Sequence, residues 1–337
     1  MRPWLNWTAG ALGSAIVIAL LAGSTFEAAS RAKALRDYPA PGLMVDIGGR
    51  RVQLDCRGSG TPTVVFESGL DTLGSLSWSA VHDQVALTTR ACSYSRAGVM
   101  WSDPAPGPFS ADRVAQDLHA TLIAAGEKGP YVMVGHSLGG PYLLTFTVRY
   151  PSDVAGLVFV DASHPDQIAR LAAAAGKAFD DGSGVAHIGG VVSGTGLLRL
   201  LLPKGPPGPH LSEVAAKAVG GWFPQSLPAV VSELDGLAAT LTAAGFGRTL
   251  GSRPLVVLTR GEKSPPEVAK QFKISPSKVI ALDAEWLAMQ NDEATWSSVG
   301  RHQVVPGASH YIQLDQPQVV IDAVGDVVKQ VRDRPGV

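Results

Sequence analysis

The chain has 337 residues, with 28 Lys+Arg against 29 Asp+Glu for a formal net charge of −1, and it is 45% hydrophobic and 17% charged. That composition excludes extended disorder, and the charge balance excludes a protein that binds nucleic acid by neutralising phosphates. Two cysteines are too few for a disulfide scaffold or a Cys-rich zinc site, which leaves a globular α/β chain of one large unit or two.

Residues 3–26 carry no charge, and 9–23 (AGALGSAIVIALLAG) are almost wholly apolar behind Arg2. This pattern predicts a secretory signal or an anchor with membrane association through residues 4–23, because about 20 apolar residues span a bilayer. Small residues at cleavage spacing occur at Ala22 and Ser24 and again at Ala28 and Ser30. The expected location is therefore exported, periplasmic or extracellular, or membrane-anchored. Residues 24–40 read as a short polar helix and linker closed by Pro39 and Pro41, so 1–40 form an N-terminal segment.

The runs 43–47 and 51–56 alternate around Gly48-Gly49 and predict a β-hairpin. Continuous apolar strands are predicted at 63–67 and 90–94. Ser110 opens a helix in which Val114, Leu118, Leu122 and Ile123 recur at helical spacing up to Gly126. A buried strand at 131–134 leads through a glycine-rich turn into a helix reaching about Tyr150. Further strands are predicted at 157–160, 255–258 and 302–305, and a last helix at 317–331 carries an inner stripe of valines. Alternating strands and helices indicate a mostly parallel sheet covered on both faces. Residues 165–252 break the rhythm with helical and loop composition, and predict a helical cap inserted between core segments 41–164 and 253–337.

Gly135-His136-Ser137-Leu138-Gly139 fits G-x-S-x-G between an apolar strand and a helix, the context that pattern requires. Small neighbours let the strand-to-helix turn close and lift the Ser137 hydroxyl above the sheet. The helix N-terminus below it brings the Leu138 amide to a developing oxyanion. A serine needs a neutral imidazole to take its proton. Of the eight histidines, His310 follows the last predicted strand.

With Glu67-Ser68-Gly69-Leu70, Tyr94-Ser95-Arg96-Ala97-Gly98, GHSLGG at 135–140, Asp161-Ala162-Ser163-His164-Pro165 and Ser309-His310-Tyr311, the chain resembles the α/β-hydrolase superfamily, in its serine esterase and lipase-like branch. The resemblance covers about residues 41–333. It implies an α/β-hydrolase fold with a mostly parallel eight-stranded sheet, and the chain order Ser137, acid, His310. The family usually takes the acid from the turn after the seventh strand, but Ser264 stands there, with Glu262 two positions early. Asp161, after the sixth strand, is the favoured acid and Glu262 the alternative. The resemblance implies oxyanion donors at the Leu70 and Leu138 amides, with Gly69 letting the backbone approach. His136, His164, Met100 and Trp101 are candidates to line the pocket. It also makes the strands of Cys56 and Cys92 antiparallel neighbours, within reach of a disulfide.

These readings lead to a serine hydrolase of carboxylic esters, with a small, hydrophobic ester as substrate and no metal or cofactor. Serine rather than aspartate at the elbow disfavours the epoxide-hydrolase and dehalogenase branches, whose covalent chemistry uses a carboxylate. The same triad would serve a thioesterase, lactonase, amidase, acyltransferase or cofactor-free haloperoxidase. A non-catalytic protein that binds a hydrophobic ligand is the alternative of a different class.

Overall fold

A computed structural model describes residues 3–178, 183–202 and 211–334. Eight strands form one sheet: β1 (Leu43–Asp46), β2 (Arg51–Arg57), β3 (Val64–Glu67), β4 (Ala91–Tyr94), β5 (Tyr131–His136), β6 (Val154–Val160), β7 (Leu255–Arg260) and β8 (Arg301–Val305), in the order β1-β2-β4-β3-β5-β6-β7-β8. The β1–β2 and β2–β4 ladders are antiparallel, and every other ladder is parallel. In the predicted hairpin Asp46 pairs with Arg51, and the Asp46 carboxylate accepts the Gly48 and Gly49 amides at 2.9 and 3.1 Å. Cys56 lies directly opposite Cys92 in the β2–β4 ladder, and the two sulfurs are bonded at 2.05 Å.

Side chains along a strand alternate between faces, and the two cores follow that alternation. Val65, Cys92, Met133, Leu157, Phe159 and Val257 face one layer, closed by the helices Ala111–Ala124 and Gly139–Arg149. Phe66, Val132, Val134, Val158, Val160 and Leu258 face the other, closed by the valine stripe of the Pro317–Arg332 helix. A strand buried on both faces reads as an unbroken apolar run, which is why VVF, YVMV, LVFV and LVVL were legible. The helix opened by Ser110 is capped as expected, its side chain accepting the Arg113 amide at 3.2 Å.

Two elements depart from the sequence expectation. The N-terminal segment is a single helix, Pro3–Asp37, and not an apolar run followed by a separate polar helix. No proline or glycine pair interrupts residues 4–37, so nothing breaks the helical ladder. Among the described residues it is one helix long and apolar enough to cross a membrane, over Ala11–Asp37. The second departure is the helix Pro276–Ala294, which the sequence reading left unassigned; Pro276 at its first turn is the signal that marks it. Among the described residues between β6 and β7 stand five α-helices, Gln167–Ala175, Ser183–Val192, Leu197–Leu201, Glu213–Asp235 and Leu237–Ala244.

Candidate active site

Ser137 follows β5 directly, with φ at +51°, in the left-handed region where a side chain is strained. The turn is fixed on both sides: the Ser137 amide donates to the Val160 carbonyl at 3.1 Å, and the Ser137 carbonyl accepts the Gly140 and Ser163 amides at 3.1 and 2.9 Å. Gly139 is required by space, since a Cβ there would stand 2.5 Å from the Glu67 carbonyl oxygen. Asp161, just after β6, is also left-handed, with φ at +44°. Its amide donates to Leu258 at 2.7 Å.

The Asp161 carboxylate is buried and fully engaged. Its Oδ2 meets His310 Nδ1 at 2.6 Å and accepts from an Arg260 guanidinium nitrogen at 2.9 Å. Its Oδ1 accepts the Arg260 amide at 3.0 Å and Trp286 Nε1–H at 2.8 Å. Burial alone would raise its pKa, but the His310 hydrogen bond, the charges of His310 and Arg260 and the Trp286 bond outweigh it and hold the group at about 2. A carboxylate so held keeps His310 in the tautomer with Nδ1 protonated, leaving Nε2 to accept a proton. The His310 side chain is 37% exposed, so that second nitrogen lies open to the site. Among the described residues no hydrogen bond joins Ser137 Oγ to His310; such contacts commonly tighten only when substrate binds.

Gly69 lies against this centre: a Cβ there would stand 2.8 Å from Ser137 Cβ and 2.9 Å from His136 Nδ1. Any larger residue would push the loop off the serine. The Leu70 and Leu138 amides donate to no acceptor among the described residues. His136 is buried and donates from Nε2 to the His310 carbonyl at 2.9 Å. Burial, reinforced by the nearby His310, lowers its pKa to about 3, so the ring is neutral. His136 therefore positions the His310 backbone.

The remaining candidates fall elsewhere. His164 is fully buried, with Nε2 on Asp292 at 2.9 Å and Nδ1 accepting the Asp166 amide at 3.0 Å. Both nitrogens being occupied, it ties β6 to the Pro276–Ala294 helix. Trp101 donates from Nε1–H to the Tyr38 carbonyl at 2.9 Å, facing the N-terminal helix. Met100, at φ +51°, packs at the same junction with Leu73, Trp222 and Tyr311, and its amide donates to Ser226 Oγ at 2.8 Å. Glu262 is exposed and is no partner of His310. Ser264, where the family pattern would place the acid, instead donates from its hydroxyl to Asp283 at 2.7 Å.

Beneath the Gly69 loop lies a buried ionic network. Arg96 Nη1 donates to Glu67 Oε1 at 2.7 Å and to the Ser68 carbonyl at 2.8 Å. Its Nη2 donates to the Gly69 carbonyl and to Glu233 Oε2, both at 2.7 Å, and Nε donates to Glu233 Oε1 at 2.9 Å. Burial works against the Arg96 charge, but Glu233 and Glu67 overcome it and hold the guanidinium well above its ordinary value. One cation thus joins the Gly69 loop to the Glu213–Asp235 helix. A cavity of about 240 Å³ borders Arg96 and Glu233, with Phe109, Arg113 and Val114 among its lining, and reaches none of Ser137, Asp161 or His310.

The sequence profile of the Alpha/beta hydrolase family matches residues 54–323, most of the chain. The chain belongs to the alpha/beta hydrolase family. Among curated relatives, "Probable transporter efuK" of Hormonema carpetanum is 35% identical over 144 residues, 42% of this hydrolase and 20% of that protein; the chain spans only a fraction of the first such relatives. Two solved structures share the fold. A thermophilic esterase from Thermogutta terrifontis superimposes with a TM-score of 0.54 at 19% identity, covering 86% of this chain and 97% of that one. The epoxide hydrolase CorEH gives 0.57 at 18%, covering 86% and 98%.

Sequence reasoning missed four side chains that hold this hydrolase's centre: Arg260, Trp286, Glu67 and Glu233. Arg260 ends β7 and stacks on Trp286 at 4.7 Å. Glu67 had a signal, an acidic residue ending an otherwise apolar strand. Glu233 lies 137 residues from Arg96, and no local pattern links them.

Proposed function

We propose that the protein is a serine hydrolase of carboxylic esters. The observation that carries this reading is the His310 Nδ1–Asp161 Oδ2 contact of 2.6 Å beside a serine held at φ +51°. Ser137 Oγ attacks the ester carbonyl while His310 Nε2 takes its proton, and the Leu70 and Leu138 amides receive the oxyanion. His310 then returns the proton to the departing alcohol, and water resolves the acyl-enzyme by the same relay. A hydroxyl nucleophile supports this chemistry over the carboxylate-based branches of the family.

The insertion reads as a cap over the site, and its aliphatic composition supports a hydrophobic ester. The Cys56–Cys92 bridge supports an oxidising compartment for the catalytic unit, in keeping with an N-terminal helix that exports or anchors it. The test is covalent labelling by a fluorophosphonate, with label on Ser137 and none in Ser137→Ala. Asp161→Asn should reduce kcat by about 10⁴-fold. A chain that hydrolyses esters equally well without Ser137 would refute the reading.

A further inference from the structure

The N-terminal helix and the insertion share a surface that ester chemistry does not use. Residues 11–22 of the helix are exposed on every side, with Leu12, Ile16, Ile18 and Leu21 at 65, 52, 66 and 64%. A helix apolar on all faces and free of protein neighbours suits lipid. The uncharged stretch 3–26 is about 36 Å of helix, enough to cross a hydrocarbon core of about 30 Å.

From Gly23 onward the same helix is gripped by the rest of the chain. A Cβ on Gly23 would stand 2.2 Å from the Thr195 carbonyl oxygen, so the two backbones cross in direct contact. One turn later Glu27, 2% exposed, accepts from Arg199 Nε at 2.6 Å, Arg199 Nη2 at 3.0 Å and Arg31 Nε at 2.8 Å. Removing the helix at either small-residue pair would take away the Gly23 crossing, and removal after Ala28 would also strip Arg199 of its carboxylate. The buried pairing argues for a helix that stays.

Thr195 and Gly196 form the corner between the helices Ser183–Val192 and Leu197–Leu201. The most exposed side chains of these helices are aliphatic, Val185, Ile188 and Val191 at 79, 67 and 83% and Leu200 and Leu201 at 69 and 66%, with His187 turned to Asp235. Exposed aliphatics of this size, continuous with an apolar span, mark a covered face. We infer that one lipid bilayer covers both, the helix spanning it while the corner 185–201 lies in its interface. The insertion is thereby pinned at the membrane, and substrate enters from the lipid phase; only this last clause rests on the ester-hydrolase reading.

The test uses the full chain in phosphatidylcholine vesicles whose acyl chains carry a photoactivatable diazirine. Peptides from 11–22 and from 183–202 should both take label, and Ser137→Ala should label identically because docking is independent of catalysis. The triple variant Val191→Glu, Leu200→Glu, Leu201→Glu should lose about fivefold or more of the label in 183–202 while 11–22 is unchanged. Its hydrolysis of p-nitrophenyl acetate in water should match the native chain, and hydrolysis of a long-chain ester dissolved in the bilayer should fall about tenfold. Native label confined to 11–22 overturns the interfacial corner. A membrane-extracted chain beginning beyond Glu27 overturns the whole proposal. Dual labelling by a chain inactive on every ester would leave the docking standing and reject the hydrolase reading.

Discussion

Two buried acidic clusters flank the serine, and they meet the same electrostatic problem in opposite ways. On the β4 side, Glu67 and Glu233 share Arg96, whose Nε, Nη1 and Nη2 all donate to protein acceptors. On the β6–β7 side, Glu293 is 1% exposed and neither carboxyl oxygen has a hydrogen-bond partner among the described residues. Burial, with the charges of Asp161 and Asp292 added, pushes its pKa well above the carboxylate range. The first cluster pairs its carboxylates with a cation, although burial still raises Glu67 to about 7, and in the second Glu293 has no such partner among the described residues. A second negative charge near Asp161 would compete for the positive field of His310 and Arg260 that holds Asp161 low.

The strongest way to break the comparison is Arg96→Met, which leaves two carboxylates buried without a cation. It should destabilise the fold by about 3–5 kcal/mol, measured by urea denaturation, and lower kcat because the Ser68 and Gly69 carbonyls lose their donor. The mirror experiment is Glu293→Gln. The unfolded carboxyl titrates near ~4.3, so the native chain holds an extra proton above that pH and its stability is full below it and falls as pH rises. Relative to the native chain the variant should gain nothing below about pH 4.3 and gain stability as pH rises above it; a difference that does not change with pH would mean folding does not raise the Glu293 pKa. Tyr142→Phe removes the hydroxyl that donates to Glu233 Oε2 at 3.1 Å and should cost about 1–2 kcal/mol. Glu262→Gln belongs to neither cluster and should stay within about 0.5 kcal/mol by the same assay, with kcat/KM within about twofold.

How far the sequence could be read follows from the range of each interaction. The strands were legible because burial on both faces gives an unbroken apolar run, and the elbow because its backbone demands small residues at fixed offsets. Asp161 could be preferred over Glu262 only by its place after the sixth strand, and two of its supports, Arg260 and Trp286, stand 99 and 125 residues away. Such partners leave no periodicity. His164 and Trp101 meet the same limit: a polar aromatic near a strand end looks alike whether it faces a cavity or a neighbouring helix, and their bonds to Asp292 and Tyr38 leave no mark in the sequence. The continuity of the N-terminal helix was obscured by a change in composition at residue 24 that leaves the backbone unaffected.

Three residues other than glycine at the catalytic edge of the sheet, Met100, Ser137 and Asp161, hold φ values of +51°, +51° and +44°. Each such conformation is disfavoured by about 1–2 kcal/mol relative to a relaxed one. A thermostability campaign that ranks positions by backbone relief would therefore nominate glycine at 137 and 161 early. Ser137→Gly would relieve the backbone and delete the hydroxyl, whereas Asp161→Gly would also strand the Arg260 and Trp286 donors and cost more than the relief returns, so selection for heat resistance alone would erode position 137 and spare 161.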